Sequence, residues 1–188
     1  MKEHQRASIL VLLLLVVLSA CQGSQRPQEA QEEAAMDLQV ASSSFQAGES
    51  IPKRHTCDGA DVSPPLSWSE PPSGAESLVL IVDDPDAPVG TWAHWLLFNI
   101  PAGARSLDEA VPAIPVVRGV GVQGNNGWRR TGYGGPCPPS GPAHRYFFRL
   151  YALDAVLDLG PGASWREVEV AMQGHILAQG ELVSKYGR

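Results

Sequence analysis

Glycine and proline interrupt this chain so often that a bundle of long helices is not a reasonable fold for it. The 188 residues include 19 Gly and 16 Pro, and many of them stand together in loop-like clusters. Between the clusters lie three short apolar runs, at residues 78–82, 92–100 and 145–153. Such runs are typical of strands, and their continuous apolarity predicts strands that are covered on both faces.

One helix is predicted near the end of the chain, over residues 165–172. Ser164 and Glu167, three positions apart, have the pattern of a capping box at its start. Three apolar residues share one face of this helix: Trp165, Val168 and Met172. Residues 175–186 then have the pattern of a final strand. The order of elements predicts a mainly β domain, an antiparallel β-sandwich of two sheets with one or two peripheral helices.

The first 20 residues differ in kind from the rest. Lys2 and Arg6 precede an apolar run over residues 9–17, which is typical of a secretory signal peptide and too short to span a bilayer as a helix. Residues 18–21, LSAC, resemble the lipobox of bacterial lipoproteins, in which the cysteine, here Cys21, is acylated. A plain cleaved signal peptide with an incidental cysteine is the alternative.

Residues 21–37 are rich in Gln, Glu and Ala and are predicted to form a flexible tether, because they carry too little apolar surface to fold. Residues 38–188 are left as one domain. Two or three acyl chains on Cys21 would anchor the protein stably, and Gln22 after it resembles the pattern for outer-membrane sorting. We therefore expect a lipid-anchored protein on the periplasmic side of a bacterial cell envelope.

The charge of the chain argues against one class of partner. The net charge is −6, and no cluster of Lys and Arg occurs. Binding to a nucleic-acid backbone requires a basic surface, so we expect no nucleic acid as partner.

Four segments carry residues suited to chemistry. An acidic loop with Asp84 and Asp86 directly follows an apolar run, and it is either a rigid support for a histidine or a solvated turn. His94 begins the next run and is predicted to share a strand face with Trp92 and Leu96.

The other two segments lie further along the chain. His144 begins the third run and shares a face with Tyr146. The glycines of residues 132–139 allow backbone N–H groups to approach a ligand closely, or simply build an irregular loop.

In this order and spacing, DPDAP, the AHW strand and GYGGPCPPSGPAHRYFFRLYALD resemble the phosphatidylethanolamine-binding protein family. Residues 57–68, CDGADVSPPLSW, and the closing HILAQGELVSKYGR are similar to its bacterial, Raf-kinase-inhibitor-like branch. The resemblance covers about residues 38–188 and implies a sandwich of two antiparallel sheets with a small anion pocket at one end. By motif position it implies these ligand-binding residues: Asp84, Asp86, Pro88, Trp92, His94, Gly135, His144 and Tyr146.

The chemistry of this set agrees with a binding role. Imidazole and phenol groups donate hydrogen bonds to phosphate or carboxylate oxygens, and carboxylates orient the imidazoles or accept from an ammonium group. We therefore expect a binding protein for a small anionic or zwitterionic ligand of the phosphate, phosphoethanolamine or carboxylate type. No cofactor, no metal and no catalytic step are assigned.

Three alternatives stay open. In the first, the pocket is vestigial and the protein surface binds a protein partner or a second copy of the chain, as an inhibitor would. A hydrolase is the second, although no G-x-S-x-G motif occurs and Ser140 is the only serine near the site. A metal site built from His94, His144, Asp84 and a cysteine is the third, without the spacing of a known metal motif.

Two cysteines remain besides Cys21. Cys57 and Cys137 both flank loops of the candidate site, and an exported location permits a disulfide between them. Bridging requires Cα atoms within about 7 Å of each other. At this level a disulfide and two free thiols are equally open.

Overall fold

The computed structural model describes residues 36–188. The predicted signal peptide, Cys21 and most of the predicted tether lie outside the described residues. Within the described residues, strand pairing begins at Met36, which aligns with Ala178 and lies two residues before the predicted boundary at Leu38. None of the helices among the described residues is long and apolar enough to cross a membrane.

The strands of the described residues form two sheets, and the larger sheet has seven strands. They are β1 Met36–Asp37, β4 Ser77–Asp84, β5 Trp92–Pro101, β7 Val116–Val117, β8 Gly121–Gln123, β9 His144–Leu153 and β10 Ile176–Tyr186. Their order across the sheet is β1-β10-β9-β4-β5-β8-β7. Neighbouring strands are antiparallel, except that β1 runs parallel to β10.

The smaller sheet has three short antiparallel strands, β2 Val40–Ala41, β3 Leu66–Trp68 and β6 Ser106–Leu107, in the order β2-β3-β6. Its apolar residues pack against the inner face of the large sheet in one core, which includes Leu66, Trp95 and Phe148. The predicted fold class, a mainly β sandwich of two sheets, is confirmed.

Strand β4 lies at the centre of the large sheet, and all eight of its residues are buried. This confirms the prediction that a continuously apolar run is covered on both faces. The same prediction is wrong for β9, where buried residues alternate with half-buried and exposed ones such as Arg145 and Arg149. The outer side of β9 carries charged groups that keep contact with water.

The one α-helix of the described residues, α1, spans Trp165–Met172, as predicted. The Ser164 side chain accepts a hydrogen bond from the Glu167 N–H, and the Glu167 carboxylate accepts one from the Ser164 N–H, so the capping box is present. Val168 and Met172 are buried against the outer face of the large sheet. The helix thus forms a second, smaller core with Ile81 of β4 and Leu96 of β5.

Candidate functional site

A cavity of about 270 Å³ lies at the end of the large sheet where β4 ends and β5 and β9 begin. We call it the histidine cavity. Five predicted site residues line it: Asp84, Pro88, Trp92, His94 and His144. The remaining lining residues were not predicted as ligand-binding: Ala87, Val89, Trp128, Cys137, Pro138 and Pro139.

The sheet register explains why residues far apart in sequence meet here. Asp84, the last residue of β4, is aligned with Trp92, the first residue of β5. On the other side of β4, Asp83 is aligned with Phe147 of β9, which places His144 at the same end of the sheet. Three antiparallel neighbours therefore bring one end of each strand to a single edge.

A β-bulge turns His94 into this cavity. Val82 is aligned with Trp95, and Asp83 is aligned with Ala93, so His94 is an extra residue on β5. A bulge of this kind shifts the alternation of side chains between the faces of the sheet. The predicted common face with Trp92 is found, since both residues line the cavity, but the predicted common face with Leu96 is wrong.

Asp84 holds His144 in a defined orientation. Its Oδ2 atom lies 2.8 Å from Nδ1 of His144, and its Oδ1 atom accepts a hydrogen bond from the Asp86 N–H at 2.9 Å. The Asp84 carboxylate is buried. Because Nδ1–H donates to this carboxylate, Nε2 of His144 remains available to a ligand.

His94 is held by the backbone instead of by a carboxylate. Its Nδ1 lies 2.6 Å from the carbonyl oxygen of Gly134, to which Nδ1–H donates. Burial lowers the pKa of His94, so the imidazole is neutral near pH 7. Its ring packs edge-on against Trp128 and Tyr146, at centroid distances of 5.1 and 5.2 Å. Two aromatic neighbours therefore hold the ring, and Nε2, which in the neutral imidazole accepts a hydrogen bond, is the ring nitrogen left for a ligand.

Tyr146 lies beneath the cavity, not in its wall. It shares the inner face of β9 with His144, as predicted, and packs against His94. Its hydroxyl group is buried and has no hydrogen-bond partner among the described residues. Burial, together with the nearby charge of Asp84, raises the pKa of Tyr146, so this phenol stays protonated.

Asp86 does not line the cavity. Both of its carboxylate oxygens bind the Arg145 guanidinium, at 2.7 and 2.9 Å, and Oδ2 also accepts the Arg145 N–H at 2.9 Å. These bonds lower the pKa of Asp86 to about 2. The structure thus gives Asp86 the role of fixing the acidic loop to the start of β9.

The glycine-rich loop, residues 132–139, supports the site. The backbone N–H groups of Gly134 and Gly135 are not available to a ligand, because both donate hydrogen bonds within the protein. The Gly134 N–H donates to the His94 carbonyl at 2.9 Å, and the Gly135 N–H donates to Asp61 Oδ1 at 2.7 Å. A Cβ atom on Gly135 would lie 2.5 Å from the His55 carbonyl oxygen, so close packing explains this glycine. Gly135 was predicted to shape the wall of the pocket, but it is not among the residues that line the histidine cavity.

Cys57 and Cys137 form a disulfide bond, with their Cα atoms 5.4 Å apart. The Cys57 N–H also donates to the Pro136 carbonyl at 3.1 Å. The bond therefore fastens the loop that contributes Cys137, Pro138 and Pro139 to the cavity wall.

Trp128 is the main residue that the sequence analysis missed. It lies in the turn NNGWRR, where the buried Asn126 side chain accepts from the N–H groups of Trp128 and Arg130 and donates to the Gly132 carbonyl. The indole is 38 % exposed and contacts Trp92 edge-on at 5.5 Å. An aromatic residue between turn-forming residues was the available signal in the sequence.

Two of the alternatives, the metal site and the hydrolase, find little support among the described residues. They contain no group of three or more His, Cys, Asp or Glu side chains that is arranged to hold a metal ion, and Cys137 is in a disulfide. Ser140 is exposed and is not part of the cavity wall.

The two-sheet β-sandwich agrees with comparisons to known proteins. The family model described as phosphatidylethanolamine-binding protein matches residues 41–187. The chain belongs to this family, which confirms the resemblance seen in its motifs.

Proteins that are similar in sequence include members from bacteria and archaea. The UPF0098 protein of Aquifex aeolicus is 51 % identical over 153 residues, covering 80 % of this chain and 89 % of that protein. The UPF0098 protein of Methanothermobacter thermautotrophicus is 56 % identical over 138 residues, covering 73 % and 91 %. Archaeal relatives show that the similarity extends beyond the bacterial branch.

The crystal structure of YbcL from E. coli, described as a member of the mammalian phosphatidylethanolamine-binding protein family, has a TM-score of 0.74 and 32 % identity, covering 81 % of this chain and 99 % of that one. The phosphatidylethanolamine-binding protein homolog CT736 of Chlamydia trachomatis has a TM-score of 0.73 and 40 % identity, covering 82 % and 99 %.

Proposed function

We propose that the histidine cavity binds a small anionic or zwitterionic ligand through a phosphate or carboxylate group. The observation that carries the proposal is the Asp84–His144 pair, at 2.8 Å, in the wall of a cavity that His94 also lines. An imidazole fixed through Nδ1 holds Nε2 in one direction, and when the ring is protonated its Nε2–H can donate to a single ligand oxygen. No catalytic step is assigned to the cavity.

The charges of the cavity wall favour a zwitterion over a simple anion. The lining residues include one carboxylate, Asp84, and no lysine or arginine. Burial lowers the pKa of His94, so the wall carries at most the positive charge of a protonated His144. A ligand with an ammonium group can place it near Asp84 or the faces of Trp92 and Trp128, since tryptophan faces attract cations. Phosphoethanolamine has this combination of groups.

The size of the cavity agrees with a head group. Its volume of about 270 Å³ lies just below the usual range of about 300–1,000 Å³ for small-molecule sites. Proline and tryptophan side chains form its apolar walls, and the polar atoms converge from Asp84, His94 and His144.

The place of action is part of the proposal. We propose that residues 1–20 direct export and that acylated Cys21 anchors the domain on the periplasmic side of the cell envelope, with residues 21–35 as spacer. The support is the LSAC motif and the polar composition after it.

Replacing His144 by Ala is expected to weaken binding of phosphoethanolamine by about 1.5–3 kcal/mol, the usual worth of a hydrogen bond to a charged group. Isothermal titration calorimetry with phosphoethanolamine and inorganic phosphate measures the change. The wild type is expected to bind phosphoethanolamine more tightly than phosphate, because only the former brings an ammonium group.

The matched control is His175→Ala. His175 forms the same kind of pair, with its Nδ1 at 2.8 Å from Asp154 Oδ1, but at the far end of the sheet. Binding is expected to be unchanged in this variant. Absence of wild-type binding at millimolar ligand would leave the cavity vestigial, and equal binding by the wild type and His144→Ala would remove His144 from the site.

Replacing Cys21 by Ser is expected to abolish incorporation of labelled fatty acid and to release the domain from membranes or stall its processing. The wild type supplies the comparison, with membrane fractions probed in parallel. Wild-type protein without label would show that the lipid anchor is absent, and equal label in Cys21→Ser would show that Cys21 does not carry it.

A further inference from the structure

The outer face of the large sheet carries a second cavity, separate from the histidine cavity. Asp83 and Asp84 are consecutive residues of β4, so their side chains lie on opposite faces of the sheet. Asp84 lines the histidine cavity, and Asp83 lines a groove of about 570 Å³ between the sheet and α1. We call it the α1 groove.

The α1 groove has an apolar floor and polar edges. Ile81 of β4, Met172 of α1 and Ile176 of β10 supply aliphatic surface, and the rings of Tyr151 and Trp165 supply aromatic surface. Its volume falls in the usual range of small-molecule sites, about 300–1,000 Å³. An organic body of modest size is therefore the natural occupant.

The charge balance of the α1 groove is negative. Its one basic side chain is Arg149, and the Arg149 guanidinium is already engaged, with Asp83 Oδ1 at 2.9 Å and Glu181 Oε2 at 2.6 Å. The guanidinium also lies 4.3 Å from the ring centroid of Phe147. Glu169 of α1 adds a further carboxylate to the lining. An anionic ligand would meet the carboxylates of Asp83 and Glu169, and the one cation there is already paired with two carboxylates.

Asp83 is the group that points to a particular ligand. Its side chain is 3 % exposed, and only Oδ1 has a hydrogen bond among the residues that the structure describes. Burial raises the pKa of Asp83, which shows that Arg149 does not fully compensate the lost hydration. Oδ2 accepts no hydrogen bond among the described residues, so it can accept one from a ligand ammonium group, which would replace hydration that the carboxylate loses on burial.

We propose that the α1 groove binds a small organic amine, with its ammonium group at Asp83 and Glu169 and its apolar or aromatic body on Ile81, Met172 and Trp165. The binding is reversible and involves no covalent step. This site is independent of the ligand of the histidine cavity.

The experiment uses phenethylamine as the probe, in calorimetric or NMR titrations of the folded domain. Phenethyl alcohol and hydrocinnamate have a similar aromatic body with a neutral or negative end, and both are expected to bind at least about tenfold more weakly than the amine, since each loses a charge-assisted bond. Equal binding of amine and alcohol overturns the proposal, because the carboxylates would then contribute nothing.

Variants locate the probe. Asp83→Asn keeps the shape of the side chain and is expected to weaken phenethylamine binding about tenfold or more. The Glu169 side chain is exposed, so Glu169→Gln leaves the core intact, and this variant is expected to weaken phenethylamine binding about twofold. This second variant keeps the test decisive if loss of the Asp83–Arg149 pair prevents folding of the first.

The matched controls are Glu70→Gln, an equal change of charge at an exposed site outside the groove, and His144→Ala. Neither is expected to alter amine binding. Loss of binding in His144→Ala would assign the amine to the histidine cavity, and absence of amine binding by the wild type, or full binding by both groove variants, would overturn the α1 groove as a site.

Discussion

Replacing Cys57 and Cys137 together by Ser is expected to lower the free energy of unfolding by about 4.5 kcal/mol. The bond joins residues 80 positions apart, and closing a loop of this length restricts the unfolded chain by about that amount in the chain-entropy account. Urea denaturation of the wild type and the double variant, fitted with a common slope, measures the difference.

Chemical state and stability can be checked on the same samples. Intact mass after alkylation under denaturing, non-reducing conditions is expected to show Cys57 and Cys137 unmodified in the wild type. Wild type treated with a reductant is expected to unfold at the same urea concentration as the double variant. Two alkyl additions without reduction would show that the bond is absent, and a loss below about 1 kcal/mol would contradict its role in stability.

Replacing Trp95 by Ala is expected to cost about 3–5 kcal/mol of unfolding free energy, the range for removing a large buried aromatic side chain. Trp95 is 0 % exposed at the centre of the inner core. Its indole N–H also donates to Gln123 Oε1 at 2.8 Å, and Gln123 in turn donates to the carbonyls of Pro112 and Ile114. The variant therefore leaves a cavity and breaks a buried network.

Two further variants separate these contributions. Trp95→Phe retains most of the volume and is expected to cost about 1–3 kcal/mol, the penalty for a buried acceptor that has lost its donor. Trp128→Ala removes a tryptophan that is 38 % exposed and packs on Trp92 and His94, so we expect a stability loss of about 1–2 kcal/mol, smaller than that of Trp95→Ala, together with weaker binding of phosphoethanolamine. Equal losses of stability for Trp95→Ala and Trp128→Ala would contradict the core described here.

The disulfide and Trp95 together explain how a rigid site is built from loops. Trp95 anchors β5 directly after the bulge at His94, and the disulfide fastens the loop that follows Gly134. His94 lies between them, with its Nδ1 on the Gly134 carbonyl. Loss of either support is therefore expected to disturb the histidine cavity as well as the fold.

Much of the fold was readable from local pattern. The run at residues 78–82 became β4, and helix α1 has the bounds that the capping box at Ser164 indicated. Such features depend on side-chain periodicity and on hydrogen bonds within a few residues. The two-residue strands β1, β2 and β7 carry no comparable pattern, because only their partners in the sheets define them.

The candidate site divides in the same way. Asp84, His94 and His144 were marked by residue type and by position at strand ends, and all three line one cavity. Asp86, a carboxylate in the same loop, was predicted to bind the ligand as well. It contacts Arg145 instead, because the loop folds back on β9. Residue type and order alone do not distinguish the two.

The sequence by itself determined the fold class, the main strands, the helix and the residue types of the site, because these follow from composition, periodicity and motif order. Only the tertiary structure decided which groups meet. A single extra residue on β5 turned His94 toward the cavity, burial made its imidazole neutral, and strand alternation sent Asp83 to the opposite face from Asp84. These outcomes depend on register, solvent exclusion and long-range contact, which are properties of the packed chain and not of any segment of it.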